Sequence, residues 1–168
     1  FALMFGLIAY AVMLPMMIYR LMFTHEVPDA AKPTIAIMAA PASLSLAGYL
    51  TVSNHPSPVI IGLLFGIAVL MTAIIYLAFF KLMRLPFSPG YAAFTFPMVI
   101  GATALFKTAS WMESVNVAAE YVEQVRWLAG FELFVATIVV GYVAIRYYFN
   151  YLPHQHLLSR RKVFVTNN

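Results

Sequence analysis

Cysteine is absent from the 168-residue chain, which removes disulfide frameworks, thiolate metal sites and thiol nucleophiles together. Charge is scarce: Asp, Glu, Lys and Arg make up 10% of residues, where a soluble domain carries about 25%. The six acids form no paired-carboxylate constellation, and there is no His-Glu-x-x-His run and no glycine-rich phosphate loop. An enzyme therefore has no chemistry to stand on. His25, His55, His154 and His156 all fall in connections or in the tail, where none could serve as an axial haem ligand within a helix. The His154-Gln155-His156 pair has no third ligand nearby, so neither a metal nor a cofactor is expected. What is abundant is apolar surface: 63% of residues are hydrophobic and the mean hydropathy is +0.87. That balance excludes a soluble domain, a disordered tail and a nucleic-acid module, and points to the lipid bilayer.

A bilayer core of about 30 Å needs about 20 apolar residues in a helix. Five stretches fit, at about 1–23, 33–52, 58–80, 90–107 and 127–149. Backbone groups find no water partner in lipid, so each is expected as an α-helix. The fold class is all-α, a polytopic membrane domain over 1–151 followed by a tail at 152–168. Connections are short and carry turn residues: His25-Glu26-Val27-Pro28-Asp29, Ser53-Asn54-His55-Pro56-Ser57 and Arg84-Leu85-Pro86. The mixed stretch at 110–126 reads as a surface helix or an extension of the last span. The apolar run opens at Phe1 without a basic leader and a small-residue cleavage site, so it reads as a piece of a longer protein, not as a signal peptide.

Basic residues set the direction. Arg20, Lys32, Lys81, Arg84, Arg146, Arg160, Arg161 and Lys162 gather on one side, and only Lys107 and Arg126 fall on the other. Lys/Arg-rich loops stay in the cytoplasm, which puts the C-terminal tail inside. Tyr76, Phe79, Phe80, Tyr147, Tyr148, Phe149 and Tyr151, near helix ends, suit an interfacial aromatic belt. Arg146 is expected to snorkel.

The second and fourth spans repeat a layout. Pro33 and Pro41 recur as Pro89 and Pro97 at an interval of 56 (89−33 and 97−41), and Ala36 recurs as Ala92. Both spans are crowded with small residues, while the first, third and fifth are rich in bulky apolar ones. Small residues permit close backbone approach. An inner layer of the second and fourth spans against an outer layer of the others follows, the small faces either lining a path or packing helix on helix. Pro41 cannot donate to the Ile37 carbonyl, nor Pro97 to that of Ala93, so each helix should bend there. Ser43, Ser45 and Thr95 stand near enough to satisfy freed carbonyls.

Lys32-Pro33-Thr34-Ile35-Ala36-Ile37-Met38-Ala39-Ala40-Pro41-Ala42-Ser43, Gly48-Tyr49-Leu50 and Phe87-Ser88-Pro89-Gly90-Tyr91-Ala92-Ala93-Phe94-Thr95-Phe96-Pro97 resemble the tellurite-resistance/dicarboxylate transporter family, which includes TehA-like proteins and plant slow-type anion channels. The resemblance covers about 1–151 and implies ten helices in five hairpins around a central pore, assembled as a homotrimer. The five spans then correspond to the sixth through tenth helices, a C-terminal half that cannot enclose such a pore alone. The implied function is passage of small inorganic or organic anions, of the tellurite or C4-dicarboxylate kind, across a bacterial inner membrane. Pore kinks fall at Pro41 and Pro97, and the lining at Ala40, Ser43, Ala93, Thr95 and Gly101. The family's plugging phenylalanine aligns with Phe96. Phe94, about 200° away round a helix, is the fallback.

No charged residue lies within 34–52 or 91–106. The two inner helices therefore supply no basic ring, and weak binding of weakly hydrated monovalent anions is expected. Glu132 is the one acid inside a span, which by itself makes it a functional candidate; it lies five residues, about 7 Å, from Trp127, and is expected to reach the interface or to pair with Lys107 or Arg126. Two alternatives stay open: a non-transporting scaffold or assembly subunit, and a proton-coupled dicarboxylate carrier.

Overall fold

The computed structural model describes residues 2–23, 35–84 and 87–165, without the side chains of 21, 22, 80 and 152–165. Pro33, the 25–29 connection, Lys32, Leu85 and Pro86 lie outside the described residues, as do the side chains of Phe80, His154, His156, Arg160, Arg161 and Lys162. Five helices follow in order: α1 (Ala2–Phe23), α2 (Ala40–Val52), α3 (Pro58–Leu82), α4 (Thr95–Ser114) and α5 (Ala119–Val165). A 3-10 segment at 35–39 leads directly into α2, and a second one, Pro89–Phe94, leads into α4. All five spans are long and apolar enough to cross a membrane.

The two 3-10 segments solve a length problem. The 13 residues of α2 rise about 20 Å at about 1.5 Å each, short of the bilayer core of about 30 Å. The five 3-10 residues ahead of it add about 10 Å at about 2.0 Å each. Proline explains where the helix type changes. Pro41 is the second residue of α2 and Pro97 the third of α4. Each sits in a first turn, where the missing N–H would have had no intrahelical partner. The expected mid-helix bend is thus a change from 3-10 to α. At this junction both the backbone N–H and the hydroxyl of Thr95 donate to Ala92 O, the hydroxyl at 2.8 Å.

The same boundaries revise the register of the repeat. The α segments begin at Ala40 and Thr95, an interval of 55 (95−40), where the prolines suggested 56. Burial agrees with 55. Ala36/Tyr91, Ala39/Phe94, Ala42/Pro97, Ser43/Met98, Leu46/Gly101 and Ala47/Ala102 are buried in both copies. Ile37/Ala92, Leu44/Val99 and Thr51/Phe106 are exposed in both. An interval of 56 would instead match buried Ala40, Ser43 and Ala47 with exposed Phe96, Val99 and Thr103. Pro41 therefore corresponds to Phe96, and Pro97 to Ala42.

Helix α4 is the hub of the packing, lying chiefly against α5 and α2 and more lightly against α3, while α3 and α1 flank α2. Two apolar clusters hold the bundle. One, at the 3-10 end, joins Ala36, Ala39, Met71, Ile75, Tyr91, Phe94, Met98, Ala136, Val139 and Val143. The other joins Ala42, Leu46, Ala47, Ile61, Leu64, Ala68 and Ala104. Tyr76 and Phe79 pack against the first cluster.

The last hairpin departs most from expectation. α4 ends at Ser114 in a turn built on Asn116 (φ 57°), with Val117 N–H donating to Met112 O at 3.0 Å and Asn116 N–H to Glu113 O at 3.0 Å. This is a Schellman arrangement with asparagine in the left-handed position. The stretch at 110–126 is thus divided between α4 and the first two turns of α5, which starts at Ala119 instead of 127. Arg126 pairs with Glu113 across the turn at 2.7 Å. At the other end, α5 continues helically through Val165, where a separate tail was expected from 152.

Candidate functional site

The side chains exposed on α2 and its 3-10 lead are Ile37, Leu44, Thr51 and Val52. The first three recur every seven residues, with half-buried Pro41 and Gly48 between them. The 3-10 lead and α4 show the equivalent stripe: Ala92, Phe96, Val99, Thr103 and Phe106. Spacings of three, four and seven keep each set on one helix face. These faces are the parts of the two inner helices that α1, α3 and α5 leave uncovered.

The two candidate phenylalanines fall on opposite sides of this division. Phe94 is 0% exposed, edge-on to Phe79 at 5.2 Å and to Tyr91 at 5.5 Å between centroids. It is a core residue. Phe96 is 52% exposed and lies in the middle of the open stripe. The ~200° between them, at about 100° per residue, sends one ring inward and the other outward.

The small residues lie elsewhere than expected. Ala40 and Ser43 are buried, and Gly101 is buried against α5. All three are placed at helix contacts and off the open stripe. Ala93 and Thr95 are half-buried at its margin. The physical reason is close packing: the faces with least side chain are those on which neighbouring backbones press. The open stripe keeps the larger Ile37, Leu44, Phe96, Val99 and Phe106. Its hydroxyls are occupied, since Thr51 donates to Ala47 O at 2.6 Å and Thr103 to Val99 O at 2.9 Å. Lys107 stands exposed just beyond Phe106, and no basic residue precedes it on α4.

Glu132 is also placed differently. It is 4% exposed and turned into the bundle, where among the described residues its Oε2 has no hydrogen-bond partner. Arg126 is engaged by Glu113 and Lys107 faces outward, so the expected pairings are not made. The carboxyl fits because position 101 is glycine: a Cβ there would lie 2.5 Å from Oε2. Ser43 from α2 and Thr72 from α3 complete a cavity of about 10 Å³ around it.

Arg146 does not reach outward as expected. Its guanidinium lies over the rings of Phe87, Tyr91 and Tyr142 at 5.7–5.8 Å, a cation–π cage. The same corner fixes the 3-10 lead of α4. Tyr147 donates its hydroxyl proton to Pro89 O, and Tyr91 donates to Met83 O at 3.3 Å. An acid inside a span marks Glu132 in the sequence, but neither its cavity nor this cage is legible there, although an arginine four residues from Tyr142 in an aromatic-rich segment is a usable signal for the second. Among the described residues, no group of three or more His, Asp or Glu comes together to hold a metal.

Comparison with curated proteins and with solved structures gives no match. The SLAC1 family model, described as voltage-dependent anion channel, matches residues 1–148, which takes in four spans, all but the end of the fifth, and both stripes. The chain is an integral membrane protein and belongs to the SLAC1 family of voltage-dependent anion channels.

Proposed function

We propose that this chain contributes one wall of an anion-conducting pore, with the open stripes of α2 and α4 facing the lumen and Phe96 closing it. The observation that supports this reading is the recurrence of the stripe at an interval of 55. Two inner helices present the same face, and an aromatic ring on one occupies the place that Pro41 holds on the other. The chain then corresponds to helices six to ten of a ten-helix ring, closed by five further helices and assembled as a homotrimer. The basic side, with the C-terminus, faces the cytoplasm of a bacterial inner membrane.

The stripe also argues for its selectivity. It carries no charge between Ile37 and Thr51 or between Ala92 and Phe106, and its threonine hydroxyls already donate to their own helices. An anion crossing it meets apolar side chains and few free donors, so dehydration is poorly compensated. Weakly hydrated monovalent anions pass most readily, ahead of C4-dicarboxylates and tellurite. Currents from the full-length protein in oocytes or planar bilayers test the reading. Phe96→Ala increases anion current, whereas an increase from Phe94→Ala alone, or a strong preference for a heavily hydrated anion, contradicts it.

A further inference from the structure

Glu132 is the buried ionisable group that the anion path does not use. Its carboxyl projects from α5 into the junction where α2, α3, α4 and α5 meet, beside Ser43, Thr72, Gly101 and Ala104. Among the described residues, the groups facing it offer no counter-charge. α2 presents Ser43 at this level and no ionisable side chain between 35 and 48. α3 presents Thr72 and, one turn on, Tyr76, whose buried hydroxyl also lacks a partner among the described residues. α4 has no ionisable residue between Thr95 and Phe106. On α5 itself, Arg126 is held by Glu113 and Arg146 by its aromatic cage. Tyr10 on α1 packs against the adjoining apolar cluster.

The junction's size limits what it can bind. A cavity of about 10 Å³ is at the lower bound for one water molecule. It is far too small for a hydrated metal ion, and a single carboxylate does not meet the six or so oxygens that a bare hard cation requires. A proton needs no volume. We infer that Glu132 is an intramembrane proton-binding site whose occupancy sets how closely α5 lies against α4, and thereby the position of Phe96.

The geometry supplies the coupling. Glu132 Oε2 occupies the space a Cβ would take on Gly101, so with the carboxyl neutral the two helices close on each other as observed. Losing the proton places a charge where, among the described residues, no counter-charge faces it, and only the hydroxyls of Ser43 and Thr72 in its cavity and of Tyr76 one turn on stand near. An unpaired buried charge is stabilised only by admitting water or moving the helices apart. Gly101 lies five residues, about one and a half turns, from Phe96 on the same helix. Separation at Gly101 therefore shifts the ring that closes the stripe.

This inference rests on the anion-pore reading, and its test separates the two. Anion current through the full-length protein is measured at about pH 5 and about pH 9, a range chosen to span the titration of perturbed carboxyls. Wild type is expected to conduct about fivefold more at the alkaline pH. Glu132→Gln, which keeps the shape and cannot titrate, abolishes the difference, and Glu132→Asp retains it. Phe96→Ala is the control for conduction. A conducting Phe96→Ala protein alongside a pH-independent wild type overturns the proton site and leaves the pore standing. So does a Glu132→Gln protein that keeps the full pH response. Should no variant conduct, the pore reading fails and infrared titration of the purified protein decides the proton site. A carboxylic-acid C=O band that titrates in wild type and is missing from Glu132→Gln supports it, and identical titrations overturn it. Should Glu132→Gln fail to insert, wild type and Glu132→Asp decide: equal currents at both pH values in wild type overturn the site, and a response shared by both supports it.

Discussion

Replacing Gly101 by alanine puts a methyl group 2.5 Å from Glu132 Oε2, about 0.9 Å inside ordinary contact. The carboxyl has little room to withdraw, because the cavity around it is about 10 Å³ and the residue is 4% exposed. Overpacking of this kind costs about 1–3 kcal/mol. Alanine is also the better helix former by about 1 kcal/mol, so the net loss in the native background is about 0–2 kcal/mol. Once Glu132 is alanine, the obstacle is gone and only the helix gain remains. Gly101→Ala should then stabilise by up to about 1 kcal/mol. The difference between backgrounds, about 1–3 kcal/mol, is the coupling energy of the pair, and it does not depend on either single value. Unfolding of the four proteins in detergent, followed by helical circular dichroism against denaturant, measures it. Equal effects of Gly101→Ala in both backgrounds, within about 0.5 kcal/mol, would refute the contact between α4 and α5 as described.

Other substitutions probe the remaining elements. Phe94→Ala should cost about 3–5 kcal/mol through loss of a buried aromatic, measured by the same unfolding assay, with no gain in anion current. Asn116, at φ 57°, should tolerate Gly with little change, whereas Asn116→Val should lower stability by about 1–2 kcal/mol because a β-branched residue resists the left-handed region. Removing the Arg126–Glu113 pair with Arg126→Ala should change stability by at most about 1 kcal/mol, since both partners are about half exposed and solvent screens them.

The number, place and helicity of the spans are legible in the sequence because bilayer thickness imposes a length and a composition together. Their ends are less so. Glu120, Glu123 and Arg126 made the start of α5 look like surface, yet helix formation from Ala119 buries only Val122 among the first ten residues before Ala129. Five residues from Trp127, Glu132 looks near the interface in the sequence. Counted from Ala119 it is 13 residues, about 20 Å, along the helix, deep enough to meet Gly101. The repeat was visible through its prolines but one residue out of register. Proline marks a helix's first turn without fixing which position of that turn it takes, the second in α2 and the third in α4. The choice of Phe96 over Phe94 rested on resemblance. The packing of Phe94 on Phe79 and Tyr91 supplies a physical reason, one that depends on tertiary contacts no local pattern encodes. For small residues, composition could not separate a face that lines water from one that lets helices touch. Ala40, Ser43 and Gly101 are buried at helix contacts.

The central claim is that the two open stripes face water; this chain has no cysteine of its own, and any in the rest of the full-length protein is replaced first. Single cysteines are placed along α2, α4 and their 3-10 leads in the full-length protein, and their reaction with a small charged thiol reagent is followed by block of anion current. The account predicts rapid reaction and block at Ile37, Leu44, Ala92, Val99 and Thr103, and none at Ala36, Ala47, Phe94, Met98 or Ala102. Reaction at the second set with silence at the first, or equal reaction along both helices, would contradict it.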